Sequence, residues 1–164
     1  MEIKLKILTI DSLSQLQILM EKSNDYLTFE DEAPVKPSAA QDLFKARPDG
    51  IEDQDKVVLG VYNVQEQMVG VFDLIKGYPN PKTLTLGLML LEPNSRGKGI
   101  GNKAYNVLEE WVVNQQFYKI RLGVLFGNEK GLGFWIRMGF IETGEVKQRL
   151  TKKVLVLEKR ISTL

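Results

Sequence analysis

Residues 96 to 101 read Arg-Gly-Lys-Gly-Ile-Gly, and the run lies between an apolar segment, Leu84 to Leu91, and the clearest helical pattern in the chain. In that pattern Ile100, Ala104, Val107, Leu108, Trp111 and Val112 share one face of a helix running to about Gln115. A strand that delivers a glycine-rich turn onto a helix start exposes backbone amides where the helix carries partial positive charge, and phosphate oxygens bind there. Glycines at 97, 99 and 101 let the backbone approach a ligand closely, while Arg96 and Lys98 add charge. A glycine cluster alone serves equally as a surface turn; the flanking strand and helix point to an anion site.

Two other phosphate loops compete. The P-loop requires Gly-Lys-Ser or Gly-Lys-Thr, and neither follows these glycines. The dinucleotide fingerprint fits formally, as Gly99-Ile-Gly101-Asn-Lys-Ala104 with Arg121 placed to read a 2′-phosphate. That fold needs a parallel sheet wound from repeated strand-helix units. Here the strands before the loop are joined by connections as short as Asn63 to Gln67, which imply antiparallel hairpins.

Bulk properties narrow the chemistry. With 164 residues the chain predicts a single domain over 1–164, and 22 Lys and Arg against 21 Asp and Glu leave no field to condense on nucleic acid or anionic lipid. No apolar run is long enough for a signal peptide or a membrane span, so the expectation is a soluble, cytoplasmic protein with no nucleic-acid or membrane partner. Cysteine and histidine are absent, which removes thiolate nucleophiles, imidazole triads and the usual zinc ligands; no metal is expected.

Ser12-Leu-Ser-Gln15 reads as a capping box opening a helix on Leu13, Leu16, Leu19 and Met20. Residues 28 to 37 read as an acidic loop, and Ala39 to Ala46 as a short helix. Val57 to Tyr62, Met68 to Ile75 and Leu84 to Leu91 read as strands, and Ile120, Leu122 and Val124 alternate as another. Asn128 is placed to cap a further helix that Gly139 terminates, and Lys147 to Glu158 forms one or two closing strands. The class is α+β, or mixed α/β.

At Arg96, Gly99 and Gly101 the chain resembles the GNAT superfamily of N-acetyltransferases, whose signature is Gln/Arg-x-x-Gly-x-Gly/Ala. Leu-Met-Leu-Leu-Glu-Pro before the loop resembles the family's bulged fourth strand. Asn128-x-x-Gly131-x-x-Phe134-Trp135-x-x-x-Gly139-Phe140 resembles its second conserved segment. The resemblance covers roughly residues 57 to 145. It implies a GNAT-like fold: a central, mostly antiparallel mixed sheet of six to seven strands, about four flanking helices, and a bulge near Leu90 and Leu91 that parts strand four from strand five. It implies acetyl-CoA as cosubstrate, with Met89, Leu90 and Leu91 along the pantetheine arm, residues Arg96, Gly97, Lys98, Gly99, Ile100, Gly101 and Asn102 around the pyrophosphate, and Asn128 and Trp135 as further contacts.

By the same resemblance the acceptor is a primary amine of a small molecule or peptide, and a homodimer is possible. A strand-four amide, that of Leu91, is expected to hold the oxyanion during direct transfer. An alkyl amine of pKa near 10.4 costs roughly 4.6 kcal/mol to neutralise at pH 7, so a base is required. Thr85 and Gly87 stand where some relatives carry a catalytic Glu, and neither accepts a proton; Asp73 and Glu30 are the candidate bases. Trp135 occupies the position of a tyrosine acid, and indole cannot replace it; a thiol of pKa about 8.5 leaves tolerably unaided. Glu30, Asp31 and Glu32 suggest a cationic acceptor. The alternative is a weakly catalytic acyl-CoA sensor or interaction module.

Overall fold

In the computed structural model, which describes residues 2–162, seven strands form one sheet in the order β1-β2-β3-β4-β5-β7-β6. They are β1 (Lys4–Ile7), β2 (Lys56–Tyr62), β3 (Met68–Lys76), β4 (Thr83–Leu91), β5 (Lys119–Leu125), β6 (Ile141–Arg149) and β7 (Lys152–Arg160). All neighbours are antiparallel except β4 and β5, the pair that brackets the glycine-rich turn. Five α-helices accompany them among the described residues: α1 (Leu13–Lys22), α2 (Asn24–Asp31), α3 (Ala39–Lys45), α4 (Ile100–Asn114) and α5 (Glu129–Arg137). This is the mixed, mostly antiparallel sheet expected, and its single parallel pair excludes the doubly wound dinucleotide fold. Arg121 is committed to ion pairs with Glu145 and Glu158.

The helices divide between the two faces because the strands alternate. Val57, Leu59 and Val61 of β2 join Phe72 and Leu74 of β3 against Ala104, Tyr105, Leu108 and Val112 of α4. On the opposite face Val58 and Val71 pack with Leu16 and Leu19 of α1, Leu27 of α2 and Ala40 of α3. Both faces of the central strands are covered, so these strands read as near-continuous apolar runs.

Three local readings change. Ser12 makes no side-chain cap; the cap lies earlier, where Thr9 accepts from the Asp11 amide at the start of a short 3₁₀ turn. Residues 24–31 are helical, so the first four residues of the expected acidic loop, 28 to 31, belong to α2, buried through Leu27 and ended by Glu32 in a left-handed conformation. Strand β1 escapes a pattern search because its Lys-Leu-Lys-Ile segment is largely exposed at the sheet edge. No helix among the described residues is long and apolar enough to cross a membrane.

The two glycines inside α5 are unlike each other. Asn128 caps this helix, its side chain accepting from the Gly131 amide at 3.0 Å, and a Cβ on Gly131 would lie 2.4 Å from the Asn128 amide nitrogen. A Cβ on Gly133 meets only the tip of Arg137, at 3.3 Å. Gly133→Ala should therefore stabilise the protein by about 0.5–1 kcal/mol through helix propensity. Gly131→Ala should not, because the same gain is offset by loss of a cap that contributes about 1 kcal/mol. Urea midpoints at equal slope check the difference.

Candidate active site

The site begins with one extra residue in β4. Asp73 of β3 faces Leu88 and the next residue, Leu74, faces Leu86, so Gly87 has no partner and forms a bulge. A one-residue insertion inverts the alternation that follows it. Leu84 and Leu86 accordingly join the α4 core, whereas Leu88 and Leu90 join the core beneath α1 to α3. On the other edge the parallel pairing of β4 with β5 runs from Thr83 to Leu86 and stops there. From Gly87 to Leu91 that edge of β4 is without a β5 partner, which leaves backbone groups for an extended ligand. The bulge therefore lies at Gly87, ahead of the expected position near Leu90 and Leu91.

At the end of β4 the chain turns through a 3₁₀ segment into the glycine loop. Gly97 and Gly99 take positive φ of 73° and 79°, and a Cβ added to either would meet nothing within 4 Å. The space in front of these two glycines is thus open, with no side chain over the backbone. Lys103 is the first residue whose amide bonds back into α4, to the Gly99 carbonyl at 3.3 Å. Among the described residues no acceptor meets the amides of residues 97 to 102. Consecutive free N–H groups at a helix start, with no side chain in front of them, fit a diphosphate.

Arg96 is engaged with the protein itself. Its Nε donates to the Leu91 carbonyl at 2.9 Å, and its two terminal nitrogens reach the Asp25 carboxylate at 2.7 and 3.3 Å. This bidentate pair holds Asp25 below the usual carboxylate range and ties the loop to α2. Lys98 is exposed and adds its positive charge beside the loop.

Helix α2 spans the gap between the strands. Beyond Asp25, its Asp31 pairs with Arg149, the Phe29 carbonyl accepts from Lys152, and Glu32 accepts from the Thr151 amide at 3.0 Å and from its hydroxyl. Two of the three residues of the acidic rim are thereby spent fastening α2 to the β6–β7 hairpin. Glu30 is not. It lines a cavity of about 410 Å³ together with Asp73, Gly87 and Leu88, so both candidate bases and the bulge meet in one space. Burial pushes the Glu30 carboxyl above its ordinary range, opposed by the Tyr26 hydroxyl and by Arg149. Asp73 is also pushed up by burial, opposed by Lys56, with which it forms a buried ion pair. Neither Lys56 nor Tyr26 stood out in the sequence, because a charge or phenol acquires its role only from the neighbour brought to it.

Asn128 and Tyr26 line a second, shallower cavity with Phe29 and Gly127 at the end of β5. The Asn128 oxygen is engaged in the α5 cap, which leaves its amide nitrogens. Trp135 is core. It is 8% exposed and packs edge-on against Tyr105, Phe134 and Phe140 at centroid distances of 4.8 to 5.5 Å.

This arrangement has known counterparts. Residues 18–140 match the model of the Acetyltransferase (GNAT) family, and the chain belongs to that family and is an acyltransferase. An acetyltransferase from Thermus thermophilus superposes with a TM-score of 0.76 at 18% identity, over 98% of this chain and 97% of that one. The spermidine N-acetyltransferase of Vibrio cholerae, solved with CoA and spermine, superposes with a TM-score of 0.78 at 19% identity, over 97% and 95%. At these identities the likeness is one of fold. No curated protein matches this chain in sequence.

Gly99→Asp should abolish acetyl-CoA binding in calorimetry while leaving the unfolding transition in place, because Asp tolerates a left-handed backbone but sets a negative charge where phosphate belongs. Asp25→Ala removes only an exposed ion pair and should weaken binding by at most about fivefold. Arg96→Ala also frees the Leu91 carbonyl and should weaken it by about tenfold or more.

Proposed function

We propose that this chain transfers the acetyl group of acetyl-CoA directly to a primary amine of a small molecule or peptide. The observation that carries the reading is the alignment of three features along β4: free amides at 97 to 102, an edge without a β5 partner from Gly87 to Leu91, and a cavity holding Glu30 and Asp73 at the bulge. Diphosphate, pantetheine and thioester follow one another in that order along CoA, and so do the groups suited to each.

Glu30 serves as the base, taking one proton from the acceptor ammonium directly or through water. Asp73 is bound by Lys56 and serves to hold the bulge, since a Cβ on Gly87 would lie 3.1 Å from its carboxylate oxygen. Leu91, the expected oxyanion donor, is three residues beyond Leu88, roughly 10 Å along the strand. In this mechanism the Met89 amide takes that role: the Glu92 amide bonds to Val69 of β3, and alternation from there turns the Met89 N–H to the open edge while the Leu88 N–H faces β3. The C–N bond forms as the C–S bond breaks and the sulfur departs with the electron pair. The second amine proton reaches the thiolate through solvent, giving acetamide and CoA thiol. No tyrosine acid is needed at position 135.

Turnover is read as acceptor-dependent release of CoA thiol across a panel of amines. Glu30→Gln should lower kcat/KM about 10²-fold, the usual contribution of a positioned base, with acetyl-CoA affinity unchanged. The base works deprotonated, so wild-type kcat/KM should fall as pH drops through the raised Glu30 value, above the ordinary carboxylate value of about 4.3. That limb should vanish in Glu30→Gln.

A further inference from the structure

We propose that the acceptor is a primary monoamine with an apolar body, an arylalkylamine or a medium-chain alkylamine; this rests on the transferase reading of the same cavity and narrows it. The charges around the cavity come in pairs. Asp31 is matched by Arg149 and Asp73 by the buried Lys56, while Asp42 and Lys36, one charge of each sign, lie on the exposed rim. Glu30 remains, lining the cavity without an ion pair of its own, since Arg149, which also acts on it, is paired with Asp31; with Lys56 counted against Asp73, the site carries one negative charge in excess. One ammonium neutralises it; a second would stay uncompensated, at a cost that rises with burial.

The remainder of the wall is apolar. Met20 and Leu27 come from α1 and α2, Val35 from the following loop, Leu43 from α3 and Leu88 from β4. These side chains suit an aliphatic or aromatic body and offer no bonds to hydroxyls or further amines. A carboxylate on the acceptor would find Arg149 already held by Asp31 and Lys36 out on the exposed rim, and would lie near Glu30. Amino acids and polyamines are therefore both disfavoured, for opposite electrostatic reasons. The amine end is fixed at Gly87, since the thioester can reach the cavity only from the open edge of β4.

The test compares hexylamine and phenethylamine with spermidine and glycine, by CoA thiol release and separately by calorimetric binding to the acetyl-CoA-free protein. The expected result is a kcat/KM at least about tenfold higher for the apolar monoamines, within the range that pocket contacts supply. Binding of hexylamine should be lost in Glu30→Gln, and Leu43→Asp, which adds a second carboxylate to the wall, should shift preference toward spermidine. Preference of the wild type for spermidine or glycine would overturn the proposal, as would an absence of hexylamine binding. Hexylamine binding that depends on Glu30 without any acetyl transfer would instead overturn the transferase reading and leave the cavity assignment standing.

Discussion

Strand β4 has to serve two helical layers and a parallel neighbour at once, and it does so by carrying one residue more than β3 at Gly87. Were Gly87 paired in a regular strand, Leu84, Leu86, Leu88 and Leu90 would all point to one face. With Gly87 bulged out of the ladder, the first two enter the α4 core and the last two the opposite core. The same irregularity coincides with the end of the β4–β5 ladder, so the inversion of the side chains and the opening of the sheet occur together. The cavity with Glu30 and Asp73 forms at this point because Gly87 has no side chain to fill it.

Helix α2 makes this opening a site rather than a defect. It is tied to the glycine loop through Asp25 and Arg96, and to the β6–β7 hairpin through Asp31, Glu32 and the Phe29 carbonyl, while Glu30 faces the cavity. Most of its polar groups are structural, which is why a single carboxylate stands out chemically. A charged residue next to two others in sequence gives no hint of that division.

The parts of the molecule legible in the sequence are those governed by local rules. The apolar period after Gly101 identified α4, the Val- and Leu-rich runs identified β2 to β4, and the Asn128 cap and Gly139 terminator bracketed α5. The glycine loop was recognisable because strand, turn and helix are contiguous. Roles that depend on long-range pairing were not: the Arg96 bracket joins residues 71 apart, and β6 is exposed along its whole length and carries no burial pattern. Trp135 shows the converse case, a motif position whose aromatic ring is claimed by core neighbours that only the fold brings together.

Uniform ¹⁵N labelling and titration with CoA would test the central claim most directly. The account predicts that amide resonances of residues 97 to 102 and of Gly87 to Leu91 shift together with one dissociation constant, the loop amides moving most, while β1 and β2 stay still. Shifts confined to other surfaces, or a glycine loop that does not respond to saturating CoA, would contradict it.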